Sequence, residues 1–256
     1  MKTIDFSKYS SIKIGGIHKI EIIDDIDISN EKYTIIGGAN NILISNNPPT
    51  MAKLSKAFDY IKIKDGFLHI GAATPSGKVL SFAKKNDLSN FEIMQKLPGT
   101  IGGMTKMNAG LKEYEIFNNL VAIKTAKGYV EKKDINYSYR HTNISSIVYE
   151  AVFEIGRGFN DELLNYFKKL RINQPKNPSA GSCFKNPKED FAGRLLQECG
   201  LKGYRVNHAA FSQQHSNFLI NLKNATFDDA NKLIHIAKKR VYEKFGVELE
   251  LEIAIL

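Results

Sequence analysis

Leu97-Pro98-Gly99-Thr100-Ile101-Gly102-Gly103-Met104-Thr105-Lys106-Met107-Asn108-Ala109-Gly110 is the stretch on which the fold turns. Four glycines, a proline and an asparagine share these fourteen residues with a single charge, Lys106. A linker this rich in glycine is ordinarily polar and solvated, whereas Ile101, Met104, Met107 and Ala109 demand burial. Glycine has no Cβ and reaches positive φ cheaply, so a buried turn of this kind lets the backbone approach a ligand closely. Its N–H groups can then be aimed at an anion such as a pyrophosphate. The same residues are also compatible with a plain tight turn inside a β-rich core.

Working outward, a second glycine turn stands upstream, Gly37-Gly38-Ala39-Asn40-Asn41, running into Ile42-Leu43-Ile44. Short strand patterns precede it at 12–14, 18–22 and 33–36. A helix is expected to begin around Thr74-Pro75, with Thr74 as N-cap, Pro75 in the first turn and Val79, Leu80, Phe82 and Ala83 buried. Strand patterns return at 120–124 and 147–155. From about Asn160 the texture becomes helical. Leu163, Leu164, Phe167 and Leu170 mark one helix, and Leu195, Leu196 and Cys199 mark a second over 190–200. Ala230, Leu233, Ala237 and Val241 mark a third, from an N-cap at Thr226 to a C-cap at Gly246. The change of texture sets an expected domain boundary after residue 157, with the first part subdivided near 52. Residues 247–256 alternate apolar and polar and read as a closing strand.

The chain has 256 residues, 43% hydrophobic and 25% charged, with a formal net charge of +9. That is the composition of an ordinary globular protein large enough for a sizeable core. No apolar run approaches a membrane span, the first residues lack a secretory apolar region, and Cys183 and Cys199 make no disulfide framework. The cytoplasm, no membrane insertion and a monomer are the expectations. The lysines lie in scattered clusters rather than on one aromatic-laced face, so a nucleic-acid partner is not expected. Attraction for anionic small molecules follows from the charge.

Neither Gly-x-Gly-x-x-Gly, nor a Walker loop, nor Gly-x-Ser-x-Gly occurs, which removes the Rossmann dehydrogenases, P-loop enzymes and nucleophile-elbow hydrolases. His208 and His215 lack helix-spaced partners, so no metal is expected. Three polar positions remain unexplained by their surroundings. Arg140, in Tyr139-Arg140-His141-Thr142, offers a planar fork for a carboxylate or phosphate, or is a surface arginine on an edge strand. Ser182 follows a glycine in Ser179-Ala180-Gly181-Ser182-Cys183-Phe184-Lys185-Asn186-Pro187, where its hydroxyl can donate a proton or bond to local backbone. Glu248, Glu250 and Glu252 alternate with apolar residues, a pattern that by itself turns all three to water.

Taken in order, eight segments resemble one family, the UDP-N-acetylenolpyruvoylglucosamine reductases, flavoenzymes of bacterial peptidoglycan synthesis. They are Gly37 to Asn41, Leu97 to Gly110, Tyr139-Arg140, Ser179 to Pro187, Ala192-Gly193-Arg194-Leu195-Leu196, Gly200-Leu201-Lys202-Gly203, Ser212 to Asn217, and Phe245 to Glu252. The resemblance implies an α+β fold. Its FAD-binding region would be of the vanillyl-alcohol-oxidase (PCMH) type, in two subdomains over 1–157. An α/β substrate domain would follow over 158–256, its last strand closing on the active site. It implies FAD held by Gly37, Gly38, Ala39, Asn40, Asn41, Pro98, Gly99, Thr100, Gly102, Gly103, Asn108 and Ala109, and NADPH as reductant of the enolpyruvyl UDP-sugar. Arg140 would pair with the substrate carboxylate, Ser182 would protonate C2, and Glu252 would support the intermediate, protonated if by hydrogen bonding. This role for Glu252 conflicts with its solvent-facing alternation. Tyr139, Lys185, Asn186 and His215 would contact substrate. Only 42 positions separate Arg140 from Ser182, which implies the compact subtype lacking an added tyrosine loop. The alternative within the same FAD-binding type is an oxidase of a small alcohol or sugar.

Overall fold

Leu68, Ile70, Ile123, Ala151 and Phe153 are almost wholly inaccessible, and they alternate with residues that face away, the period of half-buried strands. Pairing brings them onto one face of a five-stranded antiparallel sheet in the order Gly128–Glu131, Leu120–Thr125, Glu150–Glu154, Phe67–Gly71, Ile61–Lys64. One row runs Ile61, Ile70, Ala151, Ile123, Val130. Helix Ser76–Lys85 buries Val79 and Ala83 in the same core, and helix Asp161–Leu170 buries Leu164 and Phe167. Phe91 meets Phe153 edge-on at 5.7 Å, and Tyr114 meets Phe167 at 5.0 Å. Each such buried ring contributes about 1.5–3 kcal/mol. The computed structural model describes residues 1–95 and 97–256.

Strand Met51–Leu54 pairs in parallel with Ile17–Ile23 on one side and Thr34–Ile35 on the other. Ile23, Ala52 and Leu54 join one continuous core with Leu68, Ile70 and Phe153, so the expected subdivision near 52 falls inside a strand. On the sheet face opposite the core, Glu150 is 6% exposed and accepts from Tyr60 Oη at 2.6 Å and Tyr129 Oη at 2.9 Å, with His69 Nδ1 at 2.9 Å. Burial alone would raise the Glu150 carboxyl, but these donors outweigh it and hold the group below its ordinary value.

A second core is built from distant pieces. Strands Ser179–Ser182, Phe218–Asn221, Ala209–Phe211 and Arg205–Val206 form an antiparallel sheet in that order. Helix Phe227–Phe245 packs Ala230, Leu233, Ala237 and Val241 into this core. It begins with a capping box between Thr226 and Asp229 and ends on Gly246 at φ +67°, both as the residue pattern requires.

The chain thus divides into a unit of 1–2, 20–38 and 50–172 and a unit of 3–19, 39–49 and 173–256. The division after 172 differs from the boundary expected after 157, because Phe167 is committed to the first core. Residues 12–14, expected as a strand, are not one. Ile12 and Ile14 are buried, yet Lys13 sits at φ +58° and the Asn221 side-chain amide takes the carbonyls of Ile12 (3.2 Å) and Lys13 (2.9 Å). The expected closing strand shrinks to Ala254–Ile255, parallel to Ile42–Leu43. Helix Ser76–Lys85 starts one residue late, since the Thr74 hydroxyl turns to the Tyr60 carbonyl (3.1 Å) instead of capping.

Candidate active site

In the first unit the two glycine turns meet. Gly37 lies at φ +50°, and a Cβ built there would sit 3.0 Å from Thr100 Oγ1; one on Gly103 would sit 3.7 Å from the same oxygen. The absence of side chains at 37 and 103 therefore leaves bare backbone around Thr100. Gly102 has a different task. Its Cβ would collide with Ala72 Cβ at 2.8 Å, and its N–H donates to the Ala72 carbonyl at 2.9 Å. The N–H groups of Asn108 and Ala109 are likewise spent, on the carbonyls of Thr105 (3.2 Å) and Met104 (2.9 Å). The backbone N–H groups of these three residues are therefore committed within the protein. Among the described residues, the N–H groups of Gly99, Thr100 and Gly103 have no acceptor, and Pro98 and Gly103 are exposed.

Tyr139 and Arg140 form the two-residue turn between strands Tyr137–Ser138 and His141–Thr142. Arg140 adopts φ +54°, a left-handed conformation that costs a non-glycine residue about 1–2 kcal/mol. Its Nη2 donates to the Gly110 carbonyl, and its guanidinium lies 5.0 Å from the Tyr139 ring centroid. Gly110 is obligatory there, since a Cβ would fall 2.4 Å from the Tyr114 carbonyl oxygen. Strain of this kind persists where the surroundings over-determine it.

In the second unit, Gly181 at φ +86° turns the chain into Ser182. Among the described residues no hydrogen bond engages the Ser182 hydroxyl, so it is not spent on local backbone. The next residues are clamped. Cys183 N–H donates to the Asn217 carbonyl (2.7 Å). The Asn217 side chain accepts from Phe184 N–H (3.0 Å) and donates to its carbonyl (2.7 Å). Glu252 N–H donates to the Cys183 carbonyl at 2.9 Å, so Ser182 and Glu252 are brought onto adjacent strands of backbone. Asn41 Nδ2 donates to the Glu252 carbonyl (2.9 Å), Asn40 Nδ2 to Ser11 Oγ (2.6 Å), and the Ala39 carbonyl accepts from Ser11 N–H (3.0 Å). Glu248 and Glu250 are exposed while Glu252 is half-buried, which departs from the uniform solvent face of the simple alternation. Burial pushes the Cys183 thiol far up, making it a packing residue.

Lys185 pairs with Glu250 at 3.3 Å, and Asn186 Oδ1 accepts from Ala192 N–H at 3.1 Å, so it caps helix Ala192–Glu198. His215 is held by burial below the usual imidazole range, and its Nδ1 accepts from Asn217 N–H at 3.3 Å. The ring is therefore neutral with its proton on Nε2, a donor rather than a cation. Asn217 and Glu115 carry the local geometry without being marked by residue type or spacing, and Asn108, expected as an FAD contact, joins them. Their signal is weak in sequence because each acts through partners distant along the chain.

The matches with known proteins cover this whole arrangement. A family model described as UDP-N-acetylenolpyruvoylglucosamine reductase, C-terminal domain, matches residues 174–256. A protein named UDP-N-acetylenolpyruvoylglucosamine reductase from Helicobacter hepaticus is 47% identical over 257 residues, covering 99% of this chain and 98% of that one. The chain belongs to the UDP-N-acetylenolpyruvoylglucosamine reductase family. A Campylobacter jejuni protein of the same name is 45% identical over 99% of both chains. The crystal structure of the reductase from Thermus caldophilus superposes with a TM-score of 0.86 at 27% identity, over 99% of this chain and 98% of that one. Membership makes the chain an oxidoreductase and agrees with the α+β fold class. Among the described residues, no cluster of histidine, cysteine, aspartate and glutamate could hold a metal ion, and no helix is long and apolar enough to cross a membrane. Bare backbone at Gly37 and Gly103, beside the N–H groups of Gly99, Thr100 and Gly103 that find no acceptor among the described residues, fits a flat, phosphate-bearing cofactor such as FAD.

Proposed function

We propose that this reductase takes UDP-N-acetylglucosamine enolpyruvate to UDP-N-acetylmuramate, with NADPH as reductant, FAD as bound cofactor and Ser182 as proton donor. The observation that carries the reading is full-length membership of the reductase family, joined to bare backbone at the meeting of the two glycine turns. FAD would lie against residues 37, 38, 98–100 and 103, where it supplies the relay of hydride from NADPH to substrate. Ala39, Asn40 and Asn41 are the further expected contacts, with the Asn40 and Asn41 side-chain amides already donating to Ser11 Oγ and to the Glu252 carbonyl.

Hydride arriving at the enolpyruvyl C3 leaves negative charge on C2 and the carboxylate. Arg140 pairs with that carboxylate, and the charge it stabilises grows during the reaction, which is the condition for accelerating it. Ser182 gives its hydroxyl proton to C2, for which its uncommitted Oγ–H is suited. Glu252 supports the developing charge beside it. Tyr139 flanks the guanidinium, Lys185 and Asn186 face the UDP-sugar, and neutral His215 donates from Nε2 to a phosphoryl or sugar oxygen. The enzyme works as a cytoplasmic monomer.

Product analysis tests the reading. With NADPH deuterated at C4 on the transferred face, in ordinary water, the label is expected at C3 of the lactyl group and not at C2. Turnover in D₂O with ordinary NADPH is expected to label C2. Consumption of NADPH without a lactyl product, or oxidation of a simple alcohol in its place, overturns the assignment.

A further inference from the structure

Arg140 does not stand alone on its turn. The segment 136–146 is tied to the end of the glycine-rich stretch at several points. Lys106 Nζ donates to the carbonyls of Ser145 (3.0 Å) and Ser146 (3.3 Å), and Thr142 Oγ1 donates to the Lys106 carbonyl (2.6 Å). Arg140 Nη2 donates to Gly110 O, and Asn108 Nδ2 donates to the Ser138 carbonyl (3.1 Å). Of these donors only Asn108 is wholly buried. Its amide bonds in three directions: the second N–H goes to Glu115 Oε2 (2.7 Å), and Oδ1 accepts from Phe117 N–H at 3.4 Å. Its φ of +47° is one that asparagine tolerates better than most residues.

We infer that Asn108 is a positioning residue for Arg140. Its buried amide, steered by Glu115, holds the 137–142 hairpin and so fixes the guanidinium relative to the glycine cradle a few residues upstream. The inference rests on the reading that Arg140 meets the substrate carboxylate, and it adds what sets the place of that arginine. A buried amide bonded in three directions resists sliding, whereas Arg140 on a strained turn would otherwise have several near-equal positions. Displacement of a catalytic group by about 1 Å can cost on the order of 10²-fold in rate.

Asn108→Gly tests this, because it keeps the left-handed backbone and deletes only the amide. In the cofactor-free protein, hydrogen exchange of residues 137–143 is expected to speed up by roughly tenfold while strands 61–64 and 67–71 are unchanged. In the FAD-loaded protein, oxidation by the enolpyruvyl sugar is expected to slow about tenfold or more, with reduction by NADPH within about threefold of wild type. Glu115→Gln keeps an acceptor oxygen and is expected to behave as wild type. Glu115→Ala, which frees the amide without altering the buried position, repeats the test if Asn108→Gly does not fold. Unchanged exchange in the hairpin, equal slowing of both half-reactions, or a Glu115→Gln variant as damaged as Asn108→Gly overturns the inference. A wild-type enzyme inert toward the enolpyruvyl sugar would instead refute the proposed function, and the exchange result would still decide the role of Asn108.

Discussion

Replacing Arg140 with asparagine separates what the residue does for the fold from what it does for the reaction. Three effects on stability can be set against one another. The arginine sits at φ +54°, and asparagine, which tolerates that region, recovers about 1 kcal/mol of strain. Against this, the charged hydrogen bond to the buried Gly110 carbonyl is lost, at about 1.5–3 kcal/mol. The stacking on Tyr139 at 5.0 Å adds about 0.5–1 kcal/mol at an exposed position. The net is a loss of about 1–3 kcal/mol, a minor part of the ~5–15 kcal/mol that keeps a protein folded. For chains of this size that is a fall of several degrees in melting temperature, at about 2–4 °C per kcal/mol. The loss in turnover is expected to be much larger, about 10²–10³-fold, the range for removing one preorganised donor to a developing negative charge. Thermal unfolding and steady-state kinetics on the same preparation decide the matter. Turnover within about threefold of wild type, or a collapse of the fold with inactivity as its mere consequence, would refute the reasoning.

Ser182→Ala is expected to leave NADPH reduction of the bound flavin within about twofold and to slow the half-reaction with the enolpyruvyl sugar by 10²-fold or more; stopped-flow absorbance reads both. Gly37→Val fills the space 3.0 Å from Thr100 Oγ1 at a φ of +50°, so FAD affinity is expected to fall at least about tenfold, measured by flavin fluorescence. Glu150→Gln is expected to cost about 1–3 kcal/mol at neutral pH. Because the folded carboxyl titrates below its ordinary 4.5, that advantage of wild type is present above pH 4.5 and closes as pH falls through the folded value, seen by denaturant melts across pH. His215 titrates below the usual 6.5 when folded, so the unfolded chain binds its proton first. Wild type is therefore expected to lose stability as pH drops under 6.5, and His215→Gln is expected to flatten that slope.

Local signals were legible where a single segment holds all the information. Thr226, Asp229 and Gly246 sit within or beside one helix, and its boundaries follow from capping chemistry. The alternation of 120–125 and 150–154 likewise reports a face that is in fact buried. Residues 12–14 misled because their hydrophobicity reports burial and not pairing; a side chain 208 positions away from Lys13 supplies the partner that a strand would have found. The terminal alternation misled for a related reason. Backbone from 247 to 253 is tied down singly, through Lys185 N–H to the Glu250 carbonyl and Glu252 N–H to the Cys183 carbonyl, rather than in a ladder. Glycine content announced a close backbone approach but not its partner, so Gly102, which packs on Ala72, read like Gly37 and Gly103. Arg140 and Ser182 were visible as polar residues without local cause. Glu115 and Asn217, which help to hold them in place, were not, and Asn108 was expected as an FAD contact rather than as their support.

The most direct measurement is an anaerobic redox cycle on the purified protein loaded with FAD. NADPH should bleach the absorbance near 450 nm characteristic of oxidised flavins, and one equivalent of UDP-N-acetylglucosamine enolpyruvate should then restore it without oxygen. A protein that takes up no flavin, or one whose reduced flavin stays bleached until air is admitted, would contradict the account at its centre.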